Sequence, residues 1–344
     1  MAKNQKAVTF RVLSSLTDNI PISYGATGTP FGRNPLDLWA LFFIIDKGWT
    51  LGETIGLFKD AFFKKDYNDY GFPVLEFDNK YERHLYRRMR NASIRYSDDE
   101  CQDLPKKIET VKHFKLKGPA LKYFNQAVTG LIEANGSHHK VDNAYIRMRQ
   151  ISSGFLQLKD EDGNKLPIIY FPDNPKLDLL RLYCESLSKK RKIVIFLRYV
   201  PSGIVVCNML KEMGVDFATS VGKTKNTVEE IKRFKNDSTC RFLVASVDGG
   251  AGLGGNFQIA NHVYFYESPE SPIKRKQCLK RSYRGNQKRR VRVVDNVAIA
   301  GNISVEQKIL DYLAEGEDLF KALLEGDNCL TVNKKKRARV LLGD

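Results

Sequence analysis

Apolar positions change period several times along the first half of the chain. Along the second half they settle into continuous apolar runs that alternate with helical stripes. Val8, Phe10, Val12, Leu13 and Leu16 predict a short amphipathic helix over residues 6–16, and residues 20–24 (IPISY) predict a buried strand running into a Gly/Thr/Pro turn. Helical spacing resumes from Leu36 to Ile45, with Gly48 as the stop signal. Residues 50–100 read as mixed helix and loop, rich in aromatic and basic side chains. A turn at Asp103, Leu104 and Pro105 precedes a predicted strand over 111–116, helices over 119–134 and 141–152, and a hairpin over 155–171 around an Asp-Gly turn.

Beyond Pro172 and Pro175 the pattern becomes regular. Predicted strands at 193–197 (IVIFL), near Phe217, at 241–246, 262–267 and 291–299 alternate with predicted helices at 175–188, 203–213, 226–235, 273–284, 305–314 and 316–325. Apolar strands separated by helices of this length predict a doubly wound parallel sheet buried on both faces.

The 344 residues are 42% hydrophobic and 28% charged, which suits a folded chain with real cores. No apolar run approaches the roughly 18 residues of a membrane span, so no membrane partner is expected, and the opening MAKNQKAVTF has no apolar core of a secretory signal. The six cysteines are scattered, which gives neither a disulfide framework nor a zinc knuckle. His138 and His139 are adjacent without further ligands nearby, so they read as surface loop residues and no metal site is expected. The net charge of +16 points to a polyanionic partner. Part of it is concentrated, with nine lysines and arginines between Lys274 and Arg290.

In an open α/β sheet, ligands sit at the carboxyl ends of the strands. There the strand over 241–246 empties into VDGGAGLGGN (247–256), whose five glycines would let backbone N–H groups approach phosphates. The next helix carries QCLKRSYRGNQ (277–287), with Gln277, Arg281 and Arg284 at helical spacing and Gln287 beyond. Two arginines at i, i+3 would share one helix face and could clamp a polyphosphate.

This order of elements and motifs resembles the second motor lobe of superfamily-two helicases, and most of all the SWI/SNF-type DNA translocases in the compact form common in phage genomes. ATGTPFGRNPLDLWALFFIIDKGWTLGE (26–53) resembles that family's Thr-Gly-Thr-Pro turn and the helix behind it, and IRMRQISSGF (146–155) its inter-lobe segment. Two departures stand out: Asn286 replaces the glycine before the last glutamine, and Gly254 and Gly255 lengthen the Gly-rich loop. The resemblance implies an α/β fold, with a RecA-like doubly wound lobe (the helicase C-terminal domain) over 173–326. Before it would come the remnant edge of a first RecA-like lobe over 1–48 and a mostly helical insertion and linker over 49–172, and after it a basic tail over 327–344. It implies Arg284 as arginine finger, with Arg281 and Gln277 ordering the phosphates. Thr27, Gly28, Thr29, Gly250, Gly252 and Gln287 would couple the ATP cleft to the rest, and Lys223, Thr224, Ser246, Gly249 and Arg198 would contact duplex DNA.

The P-loop and the acidic DExH segment of such a motor are not found in these residues. Gly222, Lys223 and Thr224 mimic the end of a P-loop, but Phe217 stands where its first glycine belongs, and Asp160, Glu161 and Asp162 read as a solvated hairpin turn. The expectation is therefore a split ATP-dependent translocase, inactive alone. ATP and Mg²⁺ would be bound mainly by a second polypeptide carrying the P-loop and DExH motifs. The location would be cytoplasmic, the host's if phage-encoded. The alternative is a non-catalytic DNA-binding or partner-docking module derived from a helicase.

Overall fold

The computed structural model describes residues 5–26, 36–67, 73–94, 104–134, 137–140, 143–160, 162–222, 224, 226–249 and 255–315. The chain divides into two compact units, Met1–Cys101 and Gln102–Asp344.

The first unit contains α1 (Val8–Leu16), α2 (Leu36–Asp46), α3 (Ile55–Phe62) and α4 (Glu82–Asn91), with an antiparallel hairpin of β1 (Phe63–Tyr67) and β2 (Pro73–Phe77) between α3 and α4. Phe10, Trp39, Phe42, Phe58, Phe62 and Leu85 are buried together at its centre. α2 stops where expected, because Lys47 and Gly48 turn left-handed, with φ of 55° and 97°. A Cβ on Gly48 would lie 2.6 Å from the Glu53 backbone, so the position requires glycine. Residues 20–24 are not the buried strand expected. They join no ladder, and Ile20, Ile22 and Tyr24 are exposed. The Ile20 N–H instead donates to the Thr17 carbonyl at 3.3 Å, closing the turn that follows α1.

The second unit is built on a six-stranded, all-parallel sheet. Its strands are β3 (Ile108–Lys115), β8 (Ile193–Leu197), β9 (Phe217–Ser220), β10 (Phe242–Ser246), β11 (His262–Phe265) and β12 (Arg292–Ile299), in the spatial order β3-β12-β11-β8-β10-β9. The central run IVIFL is buried at every position, as a strand covered on both faces must be. Alternate residues of β8 feed opposite cores. Ile193, Ile195 and Leu197 meet Leu180 of α7 (Pro175–Glu185) and Val206 and Met209 of α8 (Val200–Glu212). Val194 and Phe196 belong with Phe234 of α9 (Thr227–Asn236) and Cys278 of α10 (Pro272–Ser282). At the β3 edge, α5 (Gly118–Thr129), α6 (Ala144–Ser152) and α11 (Val305–Glu315) enclose Phe114, Phe124, Met148 and Ile309.

Two further hairpins complete the unit: β4 (Leu131–Ala134) with β5 (Ser137–Lys140), and β6 (Phe155–Leu156) with β7 (Ile169–Tyr170). The second is the hairpin expected over 155–171, and its turn holds Asp160, whose carboxylate accepts from the Asn164 N–H at 2.7 Å. The first replaces the end of the helix expected over 119–134. α5 is capped by Gly130 at φ 83°, and His138 and His139 lie in β5 rather than in a loop. The helix expected over 316–325 and the basic tail fall outside the described residues. Among the described residues no helix is long and apolar enough to cross a membrane.

Candidate functional site

The carboxyl ends of β8, β10 and β11 and the helix α10 form a polar rim on the parallel sheet. β10 ends at Ser246, whose Oγ accepts from the backbone N–H groups of Asp248 (3.2 Å) and Gly249 (3.4 Å), folding the loop back over the strand end. Asp248 is ion-paired with Lys274 in the first turn of α10, so strand end and helix are tied together.

α10 ends at Ser282, and this separates the two arginines that helical spacing had placed on one face. Arg281 lies in the last turn, 8% exposed, with its guanidinium 5.8 Å from the Phe257 ring centroid. Its carbonyl accepts from the Phe257 N–H at 2.7 Å. Burial pulls its guanidinium below the ordinary arginine value. Gly255 leaves room for the Phe257 ring, because a Cβ there would stand 2.7 Å from it. Arg284 lies beyond the helix and is exposed.

The loop carrying Arg284 is pinned from below. The buried Gln287 amide donates to the carbonyls of Ser282 (3.0 Å) and Gln258 (2.8 Å), and its oxygen accepts from the Arg289 N–H at 3.1 Å. Gln258 in turn donates to the Gly285 carbonyl. Asn286 sits at φ 70°, a conformation that asparagine tolerates better than most residues, so the glycine expected there is replaced without breaking the turn. Gln277 is half-buried one turn before Arg281 on α10.

The remaining expected residues are dispersed. The Thr224 hydroxyl donates to the Val221 carbonyl (2.6 Å) and accepts from its N–H (3.1 Å), closing the turn in which Gly222 has φ 57°. Arg198, at the end of β8, is ion-paired with Glu270, its side chain 20% exposed. Thr27, Gly28, Thr29, Lys223, Gly250 and Gly252 lie outside the described residues.

Arg198 belongs to a buried charge network that the sequence reading passed over. Glu270 also receives Arg149 Nη1, while Arg149 Nη2 donates to the Ser268 carbonyl at 2.7 Å. The Arg149 guanidinium lies 5.7 Å from the Tyr145 ring centroid and 5.8 Å from that of Tyr199. Burial pushes both phenols upward. Glu267 accepts from the N–H groups of Arg198 (2.7 Å) and Tyr199 (3.4 Å) and from Ser202 Oγ (2.5 Å), placing a carboxylate at the start of α8. Lys176 and Glu306 form a second buried pair at 3.6 Å, joined by Ser152 and Ser153. No pattern in IRMRQISSGF marks Arg149 for burial, since half of that segment is polar; its pairing with Glu270 is set by the fold.

Residues 175–286 match the helicase conserved C-terminal domain. The chain is 25% identical over 320 residues to the Bacillus subtilis protein YwqA, named for an ATP-dependent helicase or translocase, covering 89% of this chain and 33% of that protein. It is 25% identical over 342 residues to the nuclear protein STH1/NPS1 of Saccharomyces cerevisiae, covering 90% of this chain and 24% of that protein. The chain thus spans only 33% and 24% of the length of these two relatives. Among solved structures, the C-terminal part of the Fun30 ATPase domain superposes with a TM-score of 0.50 at 16% identity, over 60% of this chain and 88% of that one.

Proposed function

With this chain carrying the C-terminal half of a SWI/SNF-type superfamily-two helicase, we propose that it supplies the arginine-bearing wall of an ATP-driven motor on duplex DNA. The observation that carries this reading is the division of labour at the end of α10. Arg281 is held over Phe257, while Arg284 is exposed on a loop fixed by Gln287 and Gln258. A fixed loop with a free guanidinium fork is the form that phosphate recognition needs, because the fork can meet two phosphate oxygens at once.

On this reading Arg284 neutralises charge developing on the transferred phosphoryl group. Arg281 is a positioning residue: it fixes the end of α10, and Gln277 orders the same face. Thr27, Gly28 and Thr29 couple cleft closure to DNA grip, and Gly250 and Gly252 border the cleft. DNA is followed along its phosphates by the Ser246–Gly249 turn together with Lys223 and Thr224. Arg198 contributes by exchanging Glu270 for a phosphate.

The P-loop and the acidic residues come from a second polypeptide. Phe217 occupies the place of a first P-loop glycine and the Thr224 hydroxyl is engaged by its own turn, so the Gly222 turn does not serve as that P-loop. ATP brings Mg²⁺ with its phosphates. On this reading the carboxylates that fix the ion belong to the P-loop half.

The test is ATP hydrolysis by this chain together with a P-loop-bearing polypeptide that co-purifies with it. Hydrolysis stimulated by duplex DNA is expected from the pair and from neither chain alone. Arg284→Ala should lower kcat by about 10³–10⁵, the usual worth of such a finger, with little change in the KM for ATP. Unchanged hydrolysis would remove Arg284 from this role. DNA binding without any hydrolysis would make the chain a DNA-holding module instead.

A further inference from the structure

The first unit carries a basic stripe that the motor chemistry above does not use. α4 is anchored by buried Leu85 and by Met89, both within the core of that unit. On its other side Arg83, Tyr86, Arg87 and Arg90 follow one another at steps of three, one and three residues, which places them in one row along the helix. All four are exposed, Tyr86 at 55%. Arg88 is exposed as well, but off this row. Among the described residues no carboxylate pairs with any of these arginines, although ion pairs are formed elsewhere in the same unit, at Lys47–Asp18 and Lys80–Asp78.

We propose that the Arg83–Tyr86–Arg87–Arg90 row of α4 is a second DNA contact, binding the sugar–phosphate backbone of duplex DNA without reading its bases. The proposal rests on the DNA-motor reading above and adds to it a site on the other structural unit.

Length and chemistry both fit. Seven helical residues rise about 10 Å, and phosphates along one strand of a duplex advance about 3.4 Å each. Three guanidinium groups over that rise therefore meet about three phosphates. Arginine suits these oxygens because its planar fork can donate two hydrogen bonds to one phosphate. A tyrosine hydroxyl among them is a further donor to phosphate or sugar. The helix dipole accounts for a basic residue in the last turn, where Arg88 and Arg90 lie, but not for Arg83 in the first.

The experiment is fluorescence anisotropy of the full chain with a labelled random-sequence duplex of about 30 base pairs, from 50 to 200 mM salt. The Arg83→Ala/Arg87→Ala/Arg90→Ala variant is compared with wild type and with a control of equal charge loss, Lys189→Ala/Lys190→Ala/Lys211→Ala, whose sites are also exposed. Each phosphate contact contributes about 0.9 to the log–log salt slope. Across this fourfold salt range, wild-type affinity should thus fall about 40-fold more than that of the α4 variant, while the lysine control keeps the wild-type slope. Circular dichroism of each variant should overlay the wild type. An unchanged slope in the α4 variant overturns the inference and leaves the motor reading standing. Equal flattening in the lysine control overturns it too, since net charge alone would then explain the binding. Loss of binding to anionic vesicles but not to DNA assigns the row to another partner. A wild-type chain that fails to bind duplex at any salt defeats both the inference and the DNA reading beneath it.

Discussion

Replacing Arg149 by leucine should destabilise the second unit by about 3 kcal/mol. Arg149 is 1% exposed, and its guanidinium serves Glu270, the Ser268 carbonyl at 2.7 Å, and the faces of two tyrosine rings. Removing one partner of a buried ion pair costs roughly 3–5 kcal/mol, most of it from the charge left behind. Here the loss belongs at the lower end, because Glu270 keeps Arg198, whose side chain is 20% exposed and can still reach water. Leucine also leaves unfilled part of the slot between Tyr145 and Tyr199, and that cavity offsets what the apolar side chain saves in desolvation. The measurement is equilibrium urea unfolding followed by far-UV circular dichroism. Tryptophan emission would miss the transition, since both tryptophans, Trp39 and Trp49, lie in the first unit. A double-mutant cycle with Glu270→Gln isolates the pair, and a coupling of about 2 kcal/mol is expected for groups in direct contact. A coupling under about 0.5 kcal/mol would mean that Arg149 and Glu270 do not pair in the folded protein, and the network would have to be abandoned.

Two other perturbations test the same unit from different sides. His262 is buried with its Nδ1 at 2.7 Å from the Tyr183 hydroxyl, and burial, aided by Arg292 and Arg191, lowers its pKa from 6.5 to about 4. The unfolded chain therefore binds a proton before the folded one does. Stability is complete above pH 6.5 and declines as pH falls towards about 4, by up to about 3 kcal/mol. His262→Gln should flatten that decline in urea midpoints measured across the window, and an unaltered pH profile would contradict the assignment. Gly154 has φ 92°, and a Cβ there would overlap the Asn174 amide, which caps α7 by accepting from the Leu177 N–H at 3.2 Å. Gly154→Ala should cost at least about 3 kcal/mol, since backbone strain and the lost cap add. A melting temperature within two or so degrees of wild type would show that the loop yields freely.

What the sequence disclosed, and what it concealed, follows from where each interaction is local. The runs IVIFL and FLVAS announce buried parallel strands because a two-faced burial leaves no polar position, and β8 and β10 lie where those runs do. β3 was recognisable as a strand, but its place at the sheet edge beside β12 depends on pairing Ile108 with Arg292, across a separation no periodicity encodes. The hairpins β1–β2 and β4–β5 were missed for another reason. Their alternation is too short to compete with flanking helical patterns, although Gly130 held the stop signal that ends α5. In the site, Arg281 and Arg284 were legible as a motif, yet their separation was not. It depends on the helix ending at Ser282 and on Phe257 receiving the first guanidinium.

The same contrast explains the two departures from the family pattern. Asn286 at φ 70° is a local matter: a residue that tolerates the left-handed region can stand in for glycine, and the hydrogen bonds of Gln287 and Gln258 hold the loop on either side. Gly255 is not local. Its missing side chain is needed by the Phe257 ring, which a Cβ would meet at 2.7 Å, and Arg281, twenty-six residues on, packs against that ring. An added glycine that reads as slack in the loop is, in the folded chain, clearance for the Phe257 ring against which Arg281 packs. A side chain at position 255 would displace the Phe257 ring and, through it, the packing of Arg281 at the end of α10.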